Sequence, residues 1–305
     1  MENVKMSVLV ATDLSSGSEN ALRAASLHAR RSDSKLVVLH CLEAAAEGVA
    51  LKDFVSHSEE ILASAKRDAL VELERTYQDA VAEELRPSEV DFGVELKFAG
   101  VGVLEALSAE SFELVVLGPT GAGTLSGMLF GSTAEEVVRE STVPVLVVPP
   151  DAHTEAIGSI VAPVDLSECS RASLRHAVEL AQLHDARLDI VHHYVAPYGG
   201  LLKLDSEPAP ESLERLEAER REALEAFVAE VDLSGVDHRL KLWRSSVTNS
   251  SPAESIVEVA RDDEADLIVM GTHGRRGFKR LFLGSTAFKV LRHAPCQVMV
   301  VRAQK

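Results

Sequence analysis

The stretch Gly271–Ala287 reads GTHGRRGFKRLFLGSTA. It follows Asp266-Leu267-Ile268-Val269-Met270, an apolar run with the length of a buried strand. Glycines stand at 271, 274, 277 and 284, then Ser285 and Thr286, and a helical pattern begins at Ala287. A strand, a glycine-rich loop and a helix start, in that order, commonly form an anion site.

The stretch is written twice. Gly118–Ala134 reads GPTGAGTLSGMLFGSTA, with Gly118, Gly121 and Gly131 each 153 residues before Gly271, Gly274 and Gly284. Ser132, Thr133 and Ala134 precede Ser285, Thr286 and Ala287 by the same interval. Upstream, Asp13-Leu14-Ser15 matches Asp165-Leu166-Ser167, and His40 matches His192, at an interval of 152. One insertion accounts for the change. A repeat of this length is a whole domain rather than a solenoid unit. The reading places one domain at residues 1–149 and a second at 156–305. The polar, proline-containing linker Pro149-Pro150-Asp151-Ala152-His153-Thr154-Glu155 joins them.

Each half alternates strand and helix. Strands are predicted at Ser7–Thr12, Lys35–Cys41, Val94–Phe98, Leu114–Leu117 and Val145–Val148. In the second half they fall at Ile160–Val164, Leu188–His193, Arg239–Leu242, Leu267–Met270 and Val298–Val301. Most are short runs of Val, Ile and Leu, as in parallel strands covered on both faces. The segment PAPESLERLEAERREALEAFVAEV sets Leu213, Leu216, Leu224, Phe227, Val228 and Val231 on one helical stripe. A βαβα order with short connections predicts a doubly wound α/β fold with right-handed crossovers. Ligands of such sheets sit beyond the carboxyl ends of the strands, where the strand order reverses.

Bulk properties narrow the partners. The 305 residues suit two domains, and 46% hydrophobic residues suffice for buried cores. A formal charge of -17 disfavours nucleic acid and anionic membranes. Cys41, Cys169 and Cys296 form no CxxC pair, which fits a reducing compartment. The start MENVKMSVLVATD has no signal-peptide core, and no apolar run is long enough to span a bilayer. A cytoplasmic protein is expected.

Three stretches meet at the strand ends of each half: Thr12-Asp13 or Val164-Asp165, His40-Cys41 or His192-His193, and the glycine loop. Glycines let backbone N–H groups approach an anion closely. Gly284, Ser285 and Thr286 add helix-start donors and hydroxyls, and Arg275, Arg276, Lys279 and Arg280 add charge. Ser285 also reads as a plain helix cap. Asp13 and Asp165 could accept from ribose hydroxyls, but taken alone each reads first as a cap of the following helix. His192 and His193 point to opposite strand faces and make a poor metal pair. No His/Cys cluster has zinc spacing. Cys41 reads as a small buried hydrophobe rather than a reactive thiol.

The spacing Gly271-x2-Gly274-x9-Gly284-Ser285, between Asp-Leu-Ile-Val-Met-Gly and Arg292-His293-Ala294-Pro295-Cys296, resembles the universal stress protein family. Gly118-x2-Gly121-x9-Gly131-Ser132 resembles it equally, so the likeness covers both halves. The resemblance implies two domains, each a five-stranded parallel sheet of order 3-2-1-4-5. It implies that their last strands pair antiparallel, making an intrachain pseudo-dimer. It also implies ATP, ADP or AMP in each crevice, with Mg as companion ion to the phosphates. Asp165 and Asp13 would hold the ribose. Pro163, His193 and Met270 would surround the adenine in the second half, and Ala11, Cys41 and Leu117 in the first. Phosphates would lie on Gly271, Gly274, Arg275, Gly284, Ser285 and Thr286, or on Gly118, Gly121, Gly131, Ser132 and Thr133. A homodimer of the tandem chain is in keeping with it.

The halves depart from each other. The first has Pro119 in its loop and no cation between Gly121 and Gly131, so the second is expected to bind ATP more tightly. Ser250-Ser251-Pro252-Ala253 replaces the family's usual Gly-Asp-Pro run. The reading is a nucleotide-binding regulator of the stress response with at most slow ATP hydrolysis. A nucleotide-free interaction module is the alternative. An adenylating enzyme would need SGGxDS, or HxGH with KMSKS, and a P-loop would need GK[ST]; none is present.

Overall fold

The computed structural model describes residues 6–43, 58–121, 130–196, 210–246, 251–272 and 283–303. The chain divides into two compact units, Met1–Glu155 and Ala156–Lys305.

In the first unit the strands are β1 (Ser7–Thr12), β2 (Lys35–Cys41), β3 (Val90–Glu95), β4 (Phe112–Leu117) and β5 (Val145–Val147). The helices are α1 (Glu19–Arg31), α2 (Ser58–Ala80), α3 (Ala99–Ala109) and α4 (Ser132–Glu140). The sheet runs β3-β2-β1-β4-β5 with every pair parallel. Val8, Leu9 and Val10 are wholly buried, because helices cover both faces of this central strand.

The second unit repeats the plan. Its strands are β6 (Ser159–Pro163), β7 (Arg187–Ala196), β8 (His238–Ser246), β9 (Leu267–Gly271) and β10 (Gln297–Val301). Its helices are α5 (Glu168–His184), α6 (Pro210–Val228), α7 (Pro252–Asp262) and α8 (Ser285–His293). The order is β8-β7-β6-β9-β10, again parallel. Both units are therefore doubly wound α/β domains of order 3-2-1-4-5. Strand order reverses between β1 and β4, and between β6 and β9. Among the described residues, no helix is long and apolar enough to cross a membrane.

The repeat extends to backbone detail. Asp33, just past the C-cap of α1, and Asp185, the C-cap of α5, both have left-handed φ, 52° and 55°. Of the α6 stripe, Leu224, Phe227 and Val228 are buried within the helix and Val231 just after it. The third strand differs from expectation. It covers Val90–Glu95, not Val94–Phe98, and Phe98 caps α3 with 62% exposure. Asp91 and Gly93 read as strand breakers, yet this is an edge strand, where such residues are tolerated. Gly93 also faces Leu39, whose Cδ1 would lie 3.5 Å from any Cβ added there. In the other half β8 runs further than Arg239–Leu242, pairing with β7 from His238 to Ser246.

Candidate functional site

The first unit holds a cleft of about 780 Å³ at the carboxyl ends of β1, β2 and β4. Ala11, Asp13, Cys41, Leu117, Gly118, Gly121, Gly131, Ser132 and Thr133 all line it. The volume is that of a small-molecule site.

Its first wall is the turn after β1. Asp13 Oδ1 accepts from Ser15 N at 3.1 Å and from Ser15 Oγ at 2.6 Å. Leu14 between them has φ of 63°, a costly conformation for a leucine. The second unit builds the same turn. Asp165 Oδ1 accepts from Ser167 N at 3.1 Å and Ser167 Oγ at 2.5 Å, and Leu166 again has φ of 63°. The helix-capping role expected of Asp165 belongs to Ser167, which caps α5 in a reciprocal box with Ser170. The aspartate holds the capping serine instead.

Behind the turn, His40 Nδ1 donates to Thr12 O at 2.8 Å, and His192 Nδ1 donates to Val164 O at 2.8 Å. Both histidines are buried and bind adjacent strand ends together. His193 points elsewhere: its Nε2 lies 2.8 Å from Ser245 Oγ. Burial lowers the His193 pKa, and the neighbouring His192 adds to the effect. Its counterpart Cys41 lines the first cleft, with Sγ 3.9 Å from Ala99 O. Burial pushes that thiol up to about 11, and the Glu95 and Glu43 carboxylates push the same way. Cys41 is thus a protonated, half-buried wall rather than a nucleophile.

The second wall is the glycine loop. Gly131 N donates to Pro119 O at 2.7 Å, and Gly284 N donates to Thr272 O at 2.8 Å, so each loop is closed by an equivalent bond. A Cβ on Gly131 would stand 3.3 Å from Pro119 O and 3.4 Å from Thr120 Cα. A Cβ on Gly121 would stand 3.1 Å from Asp13 Oδ2, bringing the loop against the aspartate turn. Gly131 and Gly284 are the N-cap residues of α4 and α8, and among the described residues no N-cap side chain caps either helix. Ser285 is therefore the first helical residue and not the cap. An uncapped helix start presents N–H groups and a positive dipole end to the cleft.

In the second unit Pro163 ends β6, His193 lies in β7, and Met270 and Gly271 end β9. Asp165 follows β6, and Ser285 and Thr286 open α8. Gly274 and Arg275 lie outside the described residues, as do Arg276, Lys279, Arg280 and His273. Ser251 caps α7 in a box with Glu254.

The sequence reading placed Thr12 at this strand end but overlooked Ser18, Glu43, Ala99 and Val103, which also line the first cleft. Thr12 Oγ1 and Ser18 Oγ lie 2.7 Å apart, and Leu14 N donates to Thr12 Oγ1 at 3.0 Å. Ala99 and Val103 come from α3, which carries no motif. Glu43 follows Cys41 by two residues, a spacing that a longer look at the strand end reveals.

A cleft at the switch point, an aspartate turn and an uncapped helix start suit a ligand with a sugar and an acidic group. Two such doubly wound domains in tandem define the class. The chain belongs to the universal stress protein family, whose model matches residues 6–149 and again 157–302. A universal stress protein of Mycolicibacterium smegmatis is 27% identical over 301 residues, 97% of this chain and 96% of that one. One of Methanocaldococcus jannaschii is 35% identical over 147 residues, 48% of this chain and 82% of that one. Among solved structures, a universal stress protein from Archaeoglobus fulgidus superposes with a TM-score of 0.62 at 19% identity. It covers 98% of this chain and 97% of its own.

Proposed function

We propose that the chain is an adenine-nucleotide-binding regulator of the stress response that acts through protein partners. The observation carrying this reading is the first cleft, where the aspartate turn faces the glycine loop. In this reading Asp13 and Asp165 accept from ribose hydroxyls. Ala11, Cys41 and Leu117 flank one adenine; Pro163, His193 and Met270 flank the other. Phosphates take N–H donors from the helix starts at Gly131 and Gly284 and hydroxyls from Ser132, Thr133, Ser285 and Thr286. Arg275 and the cations after it make the second half the stronger site for ATP, with Mg shielding the phosphates. The domains are assigned to residues 1–149 and 156–305.

The test is to denature freshly purified protein and identify released small molecules by mass spectrometry, with stoichiometry. About one ATP per chain, lost in Gly284→Asp and kept in Gly131→Asp, supports the reading. No released nucleotide, and no thermal shift with ATP, overturns it and favours a nucleotide-free interaction module.

A further inference from the structure

The two halves share a motif but not the charge of its loop. Glu43 lies on the first cleft just past β2, and its Oε1 accepts from Ala99 N at 3.3 Å. One repeat on stands Val195, an exposed apolar side chain. Asp13 is a second carboxylate of the first cleft, but Asp165 matches it, so the difference rests on Glu43 and the loops. No Lys or Arg is among the described residues lining the first cleft. The sequence between Gly121 and Gly131 contains none either, whereas the equivalent stretch holds Arg275, Arg276, Lys279 and Arg280.

A helix start offers roughly half a positive charge and a few N–H donors. That is matched to one phosphate. A triphosphate brings several more charges, with no Lys or Arg among the described lining residues to meet them and two carboxylates to repel them. A partly enclosed cleft weakens solvent screening, so the mismatch is felt. We propose that the first unit prefers an adenine nucleoside or monophosphate to the triphosphate, so the two halves read adenine compounds of different charge. This inference rests on the adenine-nucleotide reading above.

The experiment titrates the full-length Gly284→Asp chain calorimetrically with adenosine, AMP, ADP and ATP. AMP is expected to bind at least about tenfold more tightly than ATP at low salt, with the gap narrowing as salt rises. ATP binding as tightly as AMP overturns the inference and leaves the adenine-nucleotide reading standing. A wild-type chain that binds none of the four overturns both. Binding by wild type with none by Gly284→Asp also overturns the inference. Should Gly284→Asp fail to fold, Thr120→Lys in the otherwise wild-type chain sets a cation on the first loop. A second equivalent of tightly bound ATP is then expected; unchanged ATP stoichiometry overturns the inference.

Discussion

Leu14 and Leu166 stand one repeat apart, and both turn through the left-handed region with φ of 63°. Each follows the aspartate whose carboxylate takes both bonds from the serine beyond it. A strained non-glycine residue kept in both copies marks a turn whose shape outweighs its local cost. Asn or Gly at 166 tolerates that conformation and should hold or raise the unfolding midpoint. A β-branched Leu166→Val should lower stability by about 1–2 kcal/mol. The fluorescence of Trp243, the chain's one tryptophan, reports on the second unit. Equal midpoints for Val and Gly would refute the strain.

Gly271 and Gly118 should answer differently to alanine. A Cβ on Gly271 would fall 2.7 Å from Cys169 Sγ and 3.2 Å from Cys169 O. One on Gly118 meets nothing closer than 3.6 Å. Gly271→Ala is expected to cost about 1–3 kcal/mol, and Gly118→Ala far less. The position equivalent to Cys169 is Gly17, so Cys169→Gly should recover part of the Gly271→Ala loss. The remaining carbonyl contact keeps that recovery partial.

His28 makes the first unit acid-sensitive. Burial lowers its pKa from 6.5 to about 4. The folded pKa lies below the unfolded one, so the unfolded chain takes up the proton first. Stability is complete above pH 6.5 and falls as pH drops toward 4, by about 3 kcal/mol at the low end. The equivalent residue is the buried Leu180. His28→Leu should flatten the pH 4–6.5 dependence of hydrogen-exchange protection in α1. An unchanged slope would place the acid sensitivity elsewhere.

Asp189 is fully buried, 3.2 Å from Arg187 Nε and 3.3 Å from Lys241 Nζ. Lys241 also meets Asp263 at 2.6 Å. The first unit has Val37 at the place of Asp189. Removing one partner weakens the compensation of a buried charge, so Lys241→Met should cost about 3 kcal/mol. Asp189→Val added to it should recover most of the loss, as Trp243 fluorescence would register. A double variant weaker than the single one would show the network to be irreplaceable.

Most of the fold was legible before any coordinates. The central strands are apolar on both faces, so β1, β2, β4 and β9 stand out as continuous runs. Edge strands carry mixed residues, and there the reading slipped, placing β3 four residues late. The glycine, serine and aspartate positions were legible because they recur at intervals of 152 and 153. Ala99, Val103 and Ser18 were not, because lining a cleft demands no particular residue type.

By itself the sequence determined that the chain is a doubled α/β domain with one loop motif per half. Periodicity and repetition are local properties, readable without neighbours. Only the tertiary structure decided which side chain does what at the turn: Ser167 caps α5 and Asp165 orients it, and His40 and His192 tie strand ends together. It also set Glu43 on the cleft wall beside Ala99. Such roles depend on distances between residues far apart in the chain, and no spacing along the chain encodes a distance across a sheet.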